Sequence, residues 1–301
     1  MMQANVVDMQ AVKQQAVRLA RMARDEDLGQ RGDITSSLIP GEDQATFRLV
    51  SNEPGVFAGR QIAAEVLSVF DGRIRLKWME AGRDGHRLDI PAVHLATLAG
   101  PERMVLSAER TLLNFLQRLS GIATTTRLYV DAVAGTGAKI FDTRKTTPGW
   151  RVLEKYAVRC GGGHNHRLGL DDAVLIKDNH LARVPIERLA ETVFAMVTEA
   201  RALDPKPAFV EVEVDRLEQV EPLLVVVGID VILLDNFSRG DTRAAVALRD
   251  KRGLRGKVQL EVSGRVTLDT VRAIAETGVE RISVGAITHS APALDLSLEQ
   301  V

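Results

Sequence analysis

Three stretches between residues 141 and 180 hold the side chains best suited to chemistry. They are Phe141-Asp142-Thr143-Arg144-Lys145-Thr146-Thr147-Pro148-Gly149, Gly161-Gly162-Gly163-His164-Asn165-His166-Arg167 and Leu175-Ile176-Lys177-Asp178-Asn179-His180. Two arginines, two lysines and three histidines fall there among tight glycine turns. A solvated face mixes signs and a core excludes charge, so this pattern is that of a pocket for a small polyanion. Arginine offers a planar fork that grips a carboxylate or phosphate through two bonds, and lysine a compact point charge. Any one of Arg144, Lys145, Arg167 or Lys177 alone reads equally well as a rim salt bridge worth ~0–1 kcal/mol. Clustered, with His166 beside Arg167, they point to anion binding.

Further along, Glu213 and Asp235 close two successive apolar runs. Carboxylates so placed can bind ribose hydroxyls, ligate Mg²⁺ through water or stabilise a developing cation. They can equally just neutralise the nearby lysines. Ser263-Gly264 and Gly285-Ala286 follow two later runs, where glycine lets backbone N–H groups approach a phosphate. His164-x-His166, with His180 nearby, has the spacing of a zinc pair. It sits in a glycine loop among cations, which favours an anion over a metal. Cys160 reads as a packing residue.

The elements that must position these groups follow from periodicity. Gln10 to Leu28 reads as a helix with Val12, Ala16, Leu19 and Ala23 on one face, ended by Gly29 and Gly32. Residues 45–50, 73–80 and 93–99 are β-rich, with a helix over Arg60–Phe70 between them. This first third is an α+β layer. Two helices are expected next, Ser107–Ser120 and Thr124–Ala134, separated by Gly121. Strands then alternate with helices. The strands are Lys139–Thr143, Val174–Lys177, Phe209–Val214, Val231–Asp235, Val258–Ser263 and Arg281–Ala286. The helices between them are Gly149–Val158, Pro185–Leu203, Arg216–Val226, Arg239–Arg252 and Leu268–Thr277. The run Leu223 to Gly228 reads as a buried helix end. Such alternation is that of a parallel α/β sheet. With no Gly-x-Gly-x-x-Gly after its first strand, an incomplete barrel of the (β/α)₈ kind is expected over an open doubly wound sheet. In such a barrel the strand C-termini carry the site, and the polar residues above mark those ends repeatedly.

Composition sets the outer bounds. The chain has 301 residues, 45% of them hydrophobic, enough for one large or two modest cored domains. A net charge of −1 excludes a global basic field for nucleic acid, so any anion site is local. One cysteine excludes an internal disulfide and fits a reducing cytoplasm. Met1 to Asp8 lacks the basic and apolar regions of a signal peptide, and no apolar run nears the ~20 residues of a membrane span.

Long motifs within this frame resemble one family. Asp142-Thr-Arg-Lys-Thr-Thr-Pro-Gly, Glu154-Lys-Tyr-Ala-Val-Arg-Cys-Gly-Gly-Gly, Asn165-His-Arg-Leu-Gly-Leu and Leu175-Ile-Lys-Asp-Asn-His are similar to those of the quinolinate phosphoribosyltransferases. These are the decarboxylating nicotinate-nucleotide pyrophosphorylases. Glu109-Arg110-Thr-Leu-Leu-Asn-Phe, Val210-Glu-Val-Glu, Leu233-Leu-Asp-Asn, Glu261-Val-Ser-Gly and Ser283-Val-Gly-Ala agree in order, so the resemblance spans nearly the whole chain.

The resemblance implies an N-terminal α/β sandwich, residues 1–121 with 288–301 returning to it, and a seven-stranded incomplete α/β barrel, residues 122–287. It implies a homodimer in which Arg110 is donated across the interface. It also implies that Arg110, Arg144, His166, Arg167 and Lys177 hold quinolinate, with Lys145 between the two substrates. Glu213 and Asp235 would hold phosphoribosyl pyrophosphate and Mg²⁺, with a phosphate near Ser263, Gly264 and Gly285. Lys145, Glu213 and Asp235 are the catalytic candidates. Where many relatives have a second glycine after Ser-Gly, this chain has Arg265, and Asp171-Asp172 replaces a mixed pair to which no role is assigned. Two other readings stay in view: a paralogue with another substrate, and a metal-dependent hydrolase using His164, His166, His180 and Asp235.

Overall fold

The structure, a computed structural model, describes residues 7–39 and 43–301. The segment Met1 to Asp8, expected to lack a leader, lies outside the described residues as far as position 6. In chain order the first elements are α1 (Met9–Leu28), β1 (Gln44–Ser51), β2 (Gly55–Val56), α2 (Arg60–Ser68), β3 (Arg75–Trp78), β4 (Arg87–Leu88), β5 (Val93–Pro101) and α3 (Glu102–Ala132). Next come β6 (Lys139–Phe141), α4 (Arg151–Cys160), β7 (Val174–Ile176), α5 (Asp178–Leu181), α6 (Leu189–Arg201), β8 (Val210–Val214) and α7 (Val220–Leu223). The last are β9 (Val231–Asp235), α8 (Arg239–Lys251), β10 (Gln259–Ser263), α9 (Leu268–Ala275), β11 (Arg281–Ser283), α10 (Ala286–His289) and β12 (Leu296–Gln300).

Packing groups the described chain into two units, one of Val7–Arg127, Lys145–Gly162 and Ala286–Val301, the other of Leu128–Arg144 and Gly163–Gly285. The boundary expected at residue 121 thus falls inside α3, and residues 145–162, expected with the barrel, group with the first unit.

In the first unit an antiparallel sheet runs in the order β12-β1-β5-β3. β12 pairs along β1 from Phe47↔Gln300 to Ser51↔Leu296. α1 buries Val12, Ala16 and Ala20, one side chain every fourth residue. Asp8 accepts the N–H groups of Gln10 and Ala11 at its start, and Gly29, with φ 49°, ends it.

The two helices expected around Gly121 are one helix, α3. Glycine usually weakens a helix interior. Here it is used for close approach: a Cβ on Gly121 would lie 1.8 Å from the Pro292 carbonyl oxygen.

In the second unit six strands, parallel throughout, form a sheet in the order β6-β11-β10-β9-β8-β7. The seventh position is a single-residue parallel bridge between His164 and Phe141 on the outer edge of β6. His164 N–H donates to the Ile140 carbonyl at 2.8 Å, and Asp142 N–H donates to the His164 carbonyl at 3.0 Å. The run Leu223–Gly228 departs from expectation. Leu223, Leu224 and Val226 are buried, but Val225 and Val227 are 55% and 81% exposed. The helix α7 ends at Leu223, and the turn beyond it sends alternate side chains to opposite sides.

Candidate active site

Because the six strands are parallel, their C-terminal ends share one edge of the sheet. That edge carries Asp142 and Arg144 after β6, Lys177 after β7, Glu213 in β8, Asp235 closing β9, Ser263 closing β10 and Gly285 after β11.

The basic group is fixed by a buried acid. Asp142 is wholly buried. One of its oxygens accepts the His166 amide N–H at 2.8 Å and the other accepts the Asn165 side-chain amide at 2.7 Å. The loop bearing Arg167 is thereby fastened to the segment bearing Arg144. Arg167 is buried, and its pKa is lowered, first by burial and then by the charge of Arg144; Glu211, Asp172 and Glu213 act in the opposite sense. Two guanidinium groups close enough to repel, one of them poor in water, form a place where an anion is favoured. Asp172 gains a role that sequence did not supply: its carboxylate accepts the Leu168 N–H at 2.7 Å and closes the loop just after Arg167.

His166 is buried, and both ring nitrogens are engaged. Nδ1 accepts the Arg167 amide N–H at 2.8 Å, while Nε2 lies 2.9 Å from Glu211 and 3.4 Å from Glu261. Burial lowers the ring's pKa, but the two carboxylates outweigh burial and push it up to about 10. The Arg167 amide opposes a second ring proton, since Nδ1 accepts it only while bare. The hydrogen bond settles the contest for the tautomer with its proton on Nε2.

Glu213, next to last in β8, and Asp235, last in β9, lie on neighbouring strands. Glu213 lies 3.5 Å from Lys177. Its pKa is nonetheless raised, chiefly by burial; Lys177 opposes the rise, and the charges of Asp235 and Asp178 add to it. Simple neutralisation of the lysine therefore does not exhaust its negative surroundings. Asp235 accepts the Ser263 hydroxyl at 2.6 Å and the Asn236 side-chain amide at 2.7 Å. Gly264 has φ 91°, and a Cβ there would lie 2.2 Å from the Asn236 side-chain oxygen. Arg265 follows with φ 49°, a left-handed conformation in which a glycine would be unstrained. It lines a cleft of about 450 Å³ with Asn236, Arg239, Asp269 and Thr270.

Lys145 and Arg110 belong to the other unit. Lys145 is exposed, and its carbonyl accepts the Thr288 hydroxyl at 2.7 Å. Two residues on, Thr147 donates its hydroxyl to Glu154 at 2.8 Å, and Arg118 meets the same buried carboxylate at 2.8 Å. The segment after Lys145 is thus anchored to α4. Arg110 is exposed on α3. Thr111 beside it donates to Asp27 at 3.2 Å, and Ser107 donates to Asp33 at 2.8 Å.

The hydrolase set is not assembled. His164 forms the sheet-edge bridge and its ring lies 5.3 Å from that of Phe141, while His180 Nδ1 accepts the Lys177 N–H at 2.8 Å. Among the described residues the group with metal-ligand spacing is His166, Glu211 and Glu261. There Arg281 already sits on Glu261 at 2.5 Å.

Comparison with known proteins decides the class. The family description "Quinolinate phosphoribosyl transferase, N-terminal domain" matches residues 33–120, and "Quinolinate phosphoribosyl transferase, C-terminal domain" matches residues 122–299. The chain belongs to the quinolinate phosphoribosyl transferase family. A nicotinate-nucleotide pyrophosphorylase [carboxylating] of Mycobacterium leprae is 45% identical over 280 residues, covering 93% of this chain and 95% of the relative. A probable enzyme of that name from Bacillus subtilis is 40% identical, covering 91% of this chain and 89% of its own. The solved nicotinate-nucleotide pyrophosphorylase of Francisella tularensis superposes with a TM-score of 0.85 at 40% identity, over 99% of both chains. Its fold is that of this quinolinate phosphoribosyl transferase family member, an N-terminal domain with an α/β barrel.

Asp142, Glu211, Glu261 and Arg281 are buried around this family member's basic cluster, and none of them was assigned a role from sequence. The available signal was a charge at every second position of an apolar strand, as in Val210-Glu-Val-Glu-Val, which marks an interior face.

Proposed function

We propose that this enzyme joins quinolinate to phosphoribosyl pyrophosphate, giving nicotinate mononucleotide, pyrophosphate and CO₂. The observation that carries the reading is that Asp142 fastens the loop of Arg167 to the segment of Arg144, close enough for the two charges to repel, on the edge where β8 and β9 bring Glu213 and Asp235. A dicarboxylate suits the first pair, and a group developing positive charge suits the second.

Arg144, Arg167 and Lys177 orient the quinolinate dianion, with His166 in the same cluster, Lys145 between the two substrates and Arg110 supplied by a second copy of the chain. Their work is proximity and charge neutralisation. As pyrophosphate leaves, positive charge develops on the ribosyl carbon, and Glu213 and Asp235 stabilise it. The pyridine nitrogen attacks that carbon and becomes cationic. As CO₂ departs, the electron pair of the adjacent carbon–carboxylate bond stays on that ring carbon, stabilised by the neighbouring cationic nitrogen, and then takes a proton. Ser263, Gly264 and Gly285 provide hydroxyl and backbone donors for the 5′-phosphate.

The carboxylates of Glu213 and Asp235 are hard oxygen ligands on neighbouring strands, and the charge of Asp235 adds to the rise that burial causes in the pKa of Glu213, so they fit Mg²⁺ held directly or through water. Bound there, Mg²⁺ supplies neutralisation of the pyrophosphate charge. A cytoplasmic homodimer in NAD biosynthesis completes the proposal; among the described residues no helix is long and apolar enough to cross a membrane.

The test is an assay of purified protein with quinolinate, phosphoribosyl pyrophosphate and Mg²⁺, following nicotinate mononucleotide and CO₂. Both products form, and nicotinate does not replace quinolinate. A well-folded protein that forms neither product points to a paralogue with another substrate.

A further inference from the structure

Beneath the basic cluster lies a group of charges that the reaction above does not use. Glu211 on β8 and Glu261 on β10 are wholly buried, and Arg281 on β11 is 4% exposed. Glu261 takes Arg281 Nε at 2.5 Å and the Ser283 hydroxyl, and lies 3.4 Å from His166 Nε2. The guanidinium of Arg281 stacks over Phe141 at 3.8 Å and faces Phe209 at 5.3 Å. Phe209 in turn meets the His166 ring edge-on at 5.3 Å.

A buried carboxylate costs several kcal/mol unless it is well paired. The Glu261–Arg281 pair answers that need by itself. Glu211 differs: its close partner is Nε2 of the His166 ring, at 2.9 Å. Burying it makes sense only if the ring is to be held. What the ring holds is the Arg167 amide, at 2.8 Å on its opposite nitrogen.

We infer that Glu211 and Glu261 are positioning residues for the dicarboxylate site, holding Arg167 in place through the ring of His166. The inference rests on the reading that Arg144 and Arg167 receive the dicarboxylate. The carboxylates direct the Nε2 proton, the bare Nδ1 then accepts the backbone of Arg167, and Asp142 holds the same loop from its other side. Arg167 is presented beside Arg144 despite their repulsion. His166 acts here as a rigid spacer.

Two measurements test this. In the unliganded wild-type enzyme, ¹⁵N NMR of the His166 ring shows one protonated nitrogen, Nε2, and one bare nitrogen, Nδ1. Two protonated nitrogens, or averaging between tautomers, overturn the inference even if no variant folds. In folded Glu211→Gln, the KM for quinolinate rises about tenfold or more, as misplacement of a binding group requires, while the KM for phosphoribosyl pyrophosphate stays within about twofold. The single-tautomer signature is lost in the same variant. A wild-type KM for quinolinate, or an equal rise in both KM values, overturns the positioning role. Wild-type turnover of quinolinate is the separate check on the underlying reading, and its absence removes both.

Discussion

Asp142 accepts the amide N–H of His166 at 2.8 Å, so one buried carboxylate ties the strand end that leads to Arg144 to the loop that carries Arg167. Removing it leaves the His166 amide and the Asn165 side-chain amide without that acceptor. Asp142→Ala is expected to lower stability by roughly 2–3 kcal/mol, the cost of stranding buried donors. It is also expected to raise the KM for quinolinate. Urea denaturation and steady-state kinetics check the two effects. A variant of wild-type stability and KM would remove Asp142 from the framework of the site.

Arg110 and Lys145 are both exposed, so Arg110→Ala and Lys145→Ala are expected to fold normally and lose turnover. If Arg110 serves the site of a second copy, the two inactive variants complement one another. In a mixed dimer one site carries both substitutions and the other carries neither. Random exchange of subunits then restores about a quarter of wild-type activity. Mixing the variants under subunit-exchanging conditions and assaying product tests this. No recovery, with exchange shown by mass spectrometry, places Arg110 in its own subunit's site or outside any site.

Glu213 has a pKa raised above 4.5, largely by burial. A folded state that holds this proton more tightly than the unfolded chain is favoured at low pH. That advantage is lost as pH rises from 4.5 to the folded pKa, so the ionised carboxylate is a net burden on the unliganded fold at neutral pH. Glu213→Gln is therefore expected to raise Tm at pH 7 and to abolish most activity. In the wild type, kcat/KM for phosphoribosyl pyrophosphate is expected to fall on the acid side with an apparent pKa above 4.5. Calorimetry and a pH–rate profile test these signs. A lower Tm for the variant would show that pairing with Lys177 outweighs burial.

Alanine is normally better than glycine inside a helix by ~1 kcal/mol. At position 121 the order is expected to reverse, because the new Cβ would lie 1.8 Å from the Pro292 carbonyl oxygen. Gly121→Ala is expected to destabilise by about 1–3 kcal/mol, the usual range for overpacking. Hydrogen exchange should also quicken in β12, which follows Pro292 in the chain. A more stable variant would mean that the tail moves away at no cost.

How far sequence carries the fold depends on how local each cause is. α1 and the six parallel strands were legible to within three residues at either end, because period and apolar runs are local signals. Gly121 was misread as a break because its reason, the Pro292 carbonyl, lies far along the chain. The seventh barrel position was implied by resemblance only, since a single bridge at His164 has no strand pattern to read. The cations of the site were legible as a cluster. The acids beneath them were harder to read: alternation along Val210-Glu-Val-Glu-Val puts Glu211 on an interior face, but only its burial separates it from a charge at a barrel mouth. Arg265 was visible as a departure, but its left-handed backbone was not.

The pairing of β12 with β1 has a consequence for how the protein is made. β1 and β5 emerge early in synthesis, but the strand that flanks β1 consists of Leu296–Gln300. The same unit also draws on Lys145–Gly162. A nascent chain therefore cannot finish its first sheet on the ribosome while its second is being translated. Through that interval β1 travels with a bare edge, open to a wrong partner until the tail arrives.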